Sequence, residues 1–169
     1  MDLYLDFWSL MAYDYAGSWD TRAGHQANLY PSTSLPTCTP FSTSKAVEYY
    51  TAHGVPASRI VLGLPLYGRA FTSTEGPGHA FSGTGEGSWE QGVWDYKALP
   101  KDGAVERVDG EVGASFSYDK ERKVMVSYDN VEMARRKVRF IRQNGLGGGM
   151  WWESSADKAG EGSLIATVG

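Results

Sequence analysis

Three apolar segments constrain the fold of this chain more than any other feature. Residues 5–14, 59–67 and 146–153 are apolar nearly throughout, and long polar stretches separate them. Continuous apolar runs of this kind are typical of strands buried on both faces of a parallel sheet. The sequence therefore predicts three parallel strands joined by long crossovers.

The segment between the first two strands is predicted to be a loop and then a helix. Residues 15–41 are rich in Gly, Ser, Thr and Pro and indicate a long surface loop, a kind of segment that usually has a function. Ser44 is the expected N-cap of a helix over 45–53, and Gly54 is expected to end it. The order strand, loop, helix, strand is that of a parallel βαβ unit.

The second crossover is longer and interrupted. Residues 70–127 contain glycine clusters, a predicted short helix around 94–99 and a predicted hairpin that turns at 119–122, which together indicate a small α+β insertion. A helix capped by Asp129 or Asn130 and running to Gln143 follows it. The tail from Ser154 is expected to begin a further helix that is cut off. Three parallel strands with two crossovers do not complete a common fold, so a partial (β/α)₈ barrel fits best.

Composition and charge argue against several classes of function. A net charge of −4 disfavours nucleic-acid binding, no apolar run is long enough for a membrane span, and residues 1–6 do not form a secretory signal. Cys38 is the only cysteine, and the three histidines lack metal-ligand spacing, so no metal and no cofactor is expected. Six Trp, ten Tyr and 21 Gly suit the apolar faces of sugar rings. Filling of a core by these aromatics is the alternative.

Three motifs occur at the ends of the predicted strands. They are Met11-Ala-Tyr13-Asp14, Leu64-Pro-Leu-Tyr67-Gly-Arg69-Ala-Phe and Gly148-Gly-Met150-Trp-Trp152. In this order, and with the insertion at 70–127, they resemble barrel strands six to eight of chitinases of glycoside hydrolase family 18. The resemblance is closest to fungal and bacterial-type endochitinases. It implies a TIM barrel portion at 1–69, an insertion domain at 70–127 and a further barrel portion at 128–169.

The resemblance also implies a mechanism in which the N-acetyl oxygen of the substrate is the nucleophile, an exception to the two-carboxylate scheme. Tyr13 is expected to donate a hydrogen bond to that oxygen. Asp14 is expected to orient the acetamido group and to influence the charge of the catalytic acid. Both residues support catalysis, since the acid itself is a Glu of another motif.

Five residues are expected to bind chitin or chito-oligosaccharides. Strand alternation places Met11 on the face of Tyr13, and it places Tyr67 with Arg69 near the C-terminal ends of their strands, where barrel enzymes place their sites. Trp152 is expected to form the floor under one sugar ring. Trp19 is a candidate stacking platform for the next ring. The central prediction is that Tyr13, Arg69 and Trp152 surround one N-acetylglucosamine ring.

Other conspicuous residues are expected to be structural. Trp151 alternates away from Trp152 and should face the helical layer, and Glu153 is interpreted as a loop or rim residue. Asp109-Gly-Glu111 is interpreted as a solvated turn. Gly147-Gly-Gly opens a strand rather than a helix, so it is not a phosphate loop.

The family's catalytic motif, Asp-x-x-Asp-x-Asp-x-Glu on the fourth barrel strand, does not occur in the 169 residues. We therefore expect the chain alone to be inactive, to aggregate or to need the missing N-terminal half of the barrel, and to derive from an extracellular parent enzyme.

A non-hydrolytic chitin-binding lectin of the same fold is the main alternative. An independent small βα protein and an endo-β-N-acetylglucosaminidase are the others, and the insertion disfavours the latter.

Overall fold

The computed structural model of the protein describes residues 4–168. Within this range the chain forms two sheets, which are flanked by helices and by short 3₁₀ turns. The strands are β1 (Trp8–Leu10), β2 (Ile60–Pro65), β3 (Tyr67–Phe71), β4 (Val93–Asp95), β5 (Val105–Asp109), β6 (Ala114–Asp119), β7 (Val124–Ser127) and β8 (Gly148–Trp152). The α-helices are α1 (Thr43–Ala52), α2 (Val131–Gln143) and α3 (Leu164–Val168).

The first sheet is parallel and has the order β1-β2-β8. Trp8 pairs with Ile60 on one side of β2, and Val61 pairs with Gly148 on the other. The predicted trio of parallel strands is thus confirmed. The predicted first strand over 5–14 is too long, because β1 covers only Trp8–Leu10 and is half-exposed. It pairs only with β2 in the described part of the chain, so one of its edges lacks a neighbour that would extend and bury it.

The second sheet is antiparallel and has the order β4-β3-β7-β6-β5. The predicted strand over 59–67 is in fact two strands: β2 ends at Pro65, and β3 begins at Tyr67 in the other sheet. The change of sheet occurs at the buried Leu66. Proline cannot donate a ladder hydrogen bond, which makes Pro65 a natural strand end. The predicted hairpin is confirmed, since Asp119 of β6 pairs with Val124 of β7.

The helices follow their capping signals closely. In α2 the Asn130 side chain accepts a hydrogen bond from the Met133 N–H at 3.0 Å, as an N-cap should. For α1 the N-cap is Ser42, two residues before the predicted Ser44. The short helix predicted around 94–99 is present only as a 3₁₀ turn, Tyr96–Ala98, and the residues before it belong to β4.

About half of the predicted surface loop over 15–41 is buried inside the molecule. His25, Gln26 and Asn28 are fully buried, and Leu29 is nearly so. The loop runs against the antiparallel sheet, where the Gln26 N–H donates to Ser127 Oγ at 3.0 Å. Its polar composition suggested solvent exposure, but the Asn28 side-chain amide donates to two backbone carbonyl oxygens inside the protein. The Gln26 Oε1 and Asn28 Oδ1 atoms are buried and have no hydrogen-bond partner among the described residues.

No closed barrel forms within residues 4–168, where the parallel sheet keeps two open edges. A core of Ile60, Leu62, Leu64, Phe140 and Ile141 joins the middle strand to α2. None of the helices in this range is long and apolar enough to cross a membrane.

Candidate functional site

Asp14 stands at the centre of a cluster of polar and aromatic side chains beyond the end of β1. Its Oδ1 accepts hydrogen bonds from the Tyr67 hydroxyl and from Arg69 Nε, both at 2.6 Å. Its backbone has φ of 60°, in the left-handed region that only a few per cent of non-glycine residues adopt. The fold thus holds Asp14 in a strained backbone conformation, with its carboxylate directed to β3. Strain of this kind is concentrated at functional sites.

Tyr13 packs on the middle strand of the parallel sheet through a glycine. A Cβ on Gly63 would lie 2.8 Å from Tyr13 Cε1 and 2.7 Å from the Leu10 carbonyl oxygen, so only glycine permits this close approach. The ring of Tyr13 meets that of Tyr67 edge to face, with 6.0 Å between centroids. Tyr13 is 8% exposed, which leaves a narrow part of the ring accessible from the cluster.

Trp19 has an aromatic ring that is held in place by its neighbours but is exposed to solvent. Its ring lies on Gly17, where a Cβ would come within 2.5 Å of Trp19 Cη2. The Arg69 guanidinium carbon lies 4.8 Å from the centroid of the indole ring, a cation–π contact. Trp19 nevertheless remains 57% exposed. An indole fixed by its neighbours and open to solvent is suited to stacking against a ligand.

Tyr13, Tyr67 and Arg69 keep their protonation states over the neutral pH range. Burial, followed by the hydrogen bond to Asp14, raises the pKa of Tyr67 far above its usual range. Burial and the nearby Asp14 charge also raise the pKa of Tyr13. Burial alone would lower the pKa of Arg69, but the Asp14 hydrogen bond and charge more than offset this and raise it. Both tyrosines therefore remain protonated donors, and Arg69 remains a cation.

Met11 and Trp152 lie at the same ends of the strands without a described side-chain contact to the cluster. The Met11 Cα approaches Gly63 of β2, and Trp152 pairs with Pro65, two residues before Tyr67. The side chains are 69% and 57% exposed. The structure thus brings Tyr13, Asp14, Trp19, Tyr67 and Arg69 into direct contact, and it places Met11 and Trp152 beside them on exposed surface. Whether one sugar ring fills the space between these residues stays a prediction.

One interpretation of the neighbouring residues needs a change. Trp151 packs on both core clusters as expected, and Glu153 is exposed and accepts from Ser155. Asp109 and Glu111, however, do not form a merely solvated turn. Glu111 Oε1 accepts from the Thr33 N–H at 3.0 Å, and Asp109 lies 3.7 Å from the buried His25 ring, so the turn fastens the 15–41 loop.

Gln26 is a site residue that sequence reasoning missed. Its side-chain amide is fully buried and donates to the Tyr67 carbonyl oxygen at 2.7 Å, which fixes the backbone of β3 next to the Asp14 cluster. A glutamine inside a polar loop gives no local signal of this role. Among residues 4–168, no group of three or more His, Cys, Asp or Glu side chains is arranged to hold a metal ion.

Comparison with known proteins gives this site its context. The sequence model of the family described as Glycosyl hydrolases family 18 matches residues 1–157. The chain belongs to glycosyl hydrolases family 18.

Individual relatives agree with the family. The chain is 51% identical over 163 residues to Chitinase 1 of Aphanocladium album, an alignment that covers 96% of this chain and 38% of that protein. Among solved structures, chitinase ChiA74 from Bacillus thuringiensis matches with a TM-score of 0.88 and 28% identity, over 99% of this chain and 31% of that one. The chitinase of Cycas revoluta in complex with (GlcNAc)3 matches with a TM-score of 0.81 and 28% identity, over 99% and 46%. The chain therefore spans less than half the length of each of these relatives.

Proposed function

We propose that this chain forms strands six to eight of a chitinase barrel, with residues 70–127 as its insertion domain, and that it supplies one side of a site for N-acetylglucosamine polymers. The observation that supports this most is the Asp14 carboxylate, which accepts from both Tyr67 and Arg69 at 2.6 Å beside Tyr13. Such a pre-ordered group lies at the C-terminal ends of parallel strands, where barrel enzymes position their chemistry.

The aromatic surfaces of the cluster suit a pyranose ring. Trp19 and Trp152 are each 57% exposed although both are large apolar side chains. Exposed indole rings next to fixed hydrogen-bond donors offer a sugar ring both apolar contact and recognition of its hydroxyl groups. The complex of the Cycas revoluta chitinase with (GlcNAc)3 is consistent with a chito-oligosaccharide as the ligand.

The proposed mechanism assigns orientation, rather than proton donation, to this chain. Tyr13 donates to the acetamido oxygen of the substrate and Asp14 orients the acetamido group, so that this oxygen attacks the anomeric carbon and forms an oxazolinium ion. Water then opens the ring with retention. The Glu that protonates the leaving oxygen would come from sequence outside the 169 residues, and by resemblance the parent enzyme would be extracellular.

Binding tests the saccharide site. Fluorescence anisotropy of labelled chitotetraose with dilute protein should report specific binding, and unlabelled cellotetraose should compete poorly. Trp152→Ala should weaken binding by roughly tenfold or more, since truncation of a Trp that is central to a binding surface typically costs about 2 kcal/mol or more. Tyr49→Ala, a change of an exposed aromatic residue on α1, is the matched control and should have no effect. Equal affinity for cellotetraose, or no loss with Trp152→Ala, contradicts the proposal.

Hydrolysis tests the division of roles. The chain alone should not cleave soluble chito-oligosaccharides, because general-acid catalysis typically contributes about 10²–10⁴-fold. Addition of a polypeptide with barrel strands one to five of a family member, including its Glu, should restore turnover. Clear turnover by the chain alone contradicts the proposed roles. Binding without turnover in the complemented protein supports the lectin instead.

A further inference from the structure

A second pocket opens on the antiparallel sheet, on the face opposite Tyr67 and Arg69. We call it the far-face pocket. It encloses about 480 Å³, which lies within the usual range of sites for small ligands. Its floor contains Ala70, Val124 and Val126, and Trp94, Ser117 and Arg122 line its sides.

The sheet register shows that the far-face pocket and the Asp14 cluster are separate. Successive residues of a strand point to opposite faces, so Ala70 faces away from Arg69. Ala70 pairs with Val126, and Val126 pairs with Ser117, which places these three side chains on one face. Arg69 pairs with Ser127 on the other face. A ligand in the far-face pocket is thus separated from the Asp14 cluster by the thickness of the sheet.

The chemistry of the far-face pocket favours a neutral ligand that has both hydroxyl groups and an apolar face. Five charged side chains line it, three acidic and two basic, and Asp119 and Arg122 already form an ion pair at 2.9 Å. This near balance gives no strong attraction for either an anion or a cation. Lys101 Nζ lies 3.8 Å from the centroid of the Trp94 ring and so covers one face of the indole. The other face of the indole and the small apolar side chains of the floor offer flat apolar contact, as a pyranose ring requires.

Donors and acceptors for hydroxyl groups are also present. Ser117 is 1% exposed, and its Oγ interacts with the Tyr128 hydroxyl but makes no hydrogen bond of good geometry among the described residues. The nearby Tyr128 hydroxyl donates to Glu106 at 2.6 Å instead. Both described hydrogen bonds of the Arg122 guanidinium start from Nη1, so Nη2 can donate to a ligand. A buried hydroxyl group without a partner is costly, and a ligand that pairs with it removes this cost.

We propose that the far-face pocket is a second saccharide site, which binds a neutral pyranose unit of a polysaccharide independently of the Asp14 cluster. The site gives the antiparallel sheet two sugar-binding faces. It also allows the protein to hold a polymer at one face while the Asp14 cluster contacts another segment or chain.

Photo-crosslinking of dilute protein tests this proposal. A chitotriose probe with a diazirine group, followed by mass spectrometry of the peptides, should label residues 94–104 or 117–124 in addition to any labelling at 11–19. Excess unlabelled chitotriose should suppress both labels. Ala104→Phe, which fills the pocket from its rim, and Trp94→Leu should each reduce the 94–124 label at least fivefold and leave the 11–19 label unchanged.

A matched variant separates ligand binding from folding. Ser117→Ala removes only the buried hydroxyl, so it should weaken labelling of the far-face pocket about threefold or more without lowering the unfolding temperature. Arg69→Met should affect only the 11–19 label. Labelling confined to 11–19, or a 94–124 label that survives both Ala104→Phe and Trp94→Leu, overturns the second site. Loss of the 11–19 label alone bears instead on the proposed chitinase function.

Discussion

At the scale of single residues, the site depends on an acidic side chain held by two donors from another sheet. The sequence placed Asp14, Tyr67 and Arg69 at the ends of their strands and assigned Tyr67 and Arg69 to the binding of chitin. In the structure both donate to Asp14 at 2.6 Å. Strand alternation predicts the face of a side chain but not its partner, because the partner here depends on the left-handed backbone of Asp14.

Tyr67→Phe tests this network directly. It removes one of the two donors to Asp14 and keeps the ring that packs on Tyr13. Hydrogen bonds to charged groups contribute about 1.5–3 kcal/mol, and partial exposure reduces this value, so we expect the Kd for labelled chitotetraose to rise roughly tenfold. Tyr49→Phe is the matched control. An unchanged Kd in Tyr67→Phe would show that the network does not organise the binding surface.

The Asp109–His25 contact predicts a dependence of stability on pH. The interaction with His25, at 3.7 Å, lowers the pKa of Asp109 below its ordinary value, and the Val112 and Glu111 N–H groups add to the effect. A carboxyl group with a lowered pKa stabilises the folded state above its unfolded pKa of about 3.9, and this contribution is lost as the pH falls through the folded value. Thermal unfolding between pH 6 and pH 3 should therefore show a smaller acid-induced loss in Asp109→Asn than in the parent chain. Identical pH profiles would contradict this assignment.

At the scale of elements, α2 is joined to the end of β7 by a buried ion pair. Lys137 Nζ lies 2.5 Å from Asp129 Oδ2, and the two side chains are 1% and 3% exposed. Burial raises the pKa of Asp129 and lowers that of Lys137, while their attraction opposes both shifts. Removing one partner therefore leaves a buried group whose charge has no counterpart.

Lys137→Met should destabilise the protein by about 3–5 kcal/mol, because an unpaired carboxylate remains in the core. Arg136→Met, on the same helix, breaks the exposed pair with Glu132 and should cost less than about 1 kcal/mol. Urea unfolding followed by circular dichroism measures both changes. Losses of similar size in the two variants would show that burial does not govern the contribution of the pair.

The elements also show which parts of the fold a sequence can predict. The asparagine cap of α2, the β6–β7 turn and the three parallel strands have local signals, and all three predictions are confirmed. Two other features depend on distant neighbours. The strand β1 is short because it lacks a second neighbouring strand in the described range, and the 15–41 loop packs on Ser127, which is 101 residues beyond Gln26. The change of sheet at Leu66 does have a local signal, Pro65, which cannot continue a strand ladder. It was not predicted because the apolar run continues on both sides of it.

At the scale of the whole molecule, the parallel sheet has open edges in the described range, and no closed barrel forms there. Unpaired strand edges favour association with other chains. Sedimentation velocity should therefore show growing self-association as the protein concentration rises. Addition of barrel strands one to five of a family member should convert these species into a single complex. A monodisperse monomer that melts cooperatively at every concentration would contradict this prediction.

Leu66, the single residue between β2 and β3, also limits how the two sheets can move relative to each other. The Leu66 N–H donates to the Trp152 carbonyl oxygen at 2.8 Å, and the Leu66 carbonyl oxygen accepts from the Tyr96 N–H at 2.8 Å. Leu66 is thus tied to both sheets and has no flexible linker on either side. A hinge motion that swings the antiparallel sheet away from Trp152 would break these bonds, so the separation of Arg69 from Trp152 is set when the chain folds. If the proposed saccharide site is correct, a polymer would enter this region by threading along it or from the open side, without separation of the two sheets.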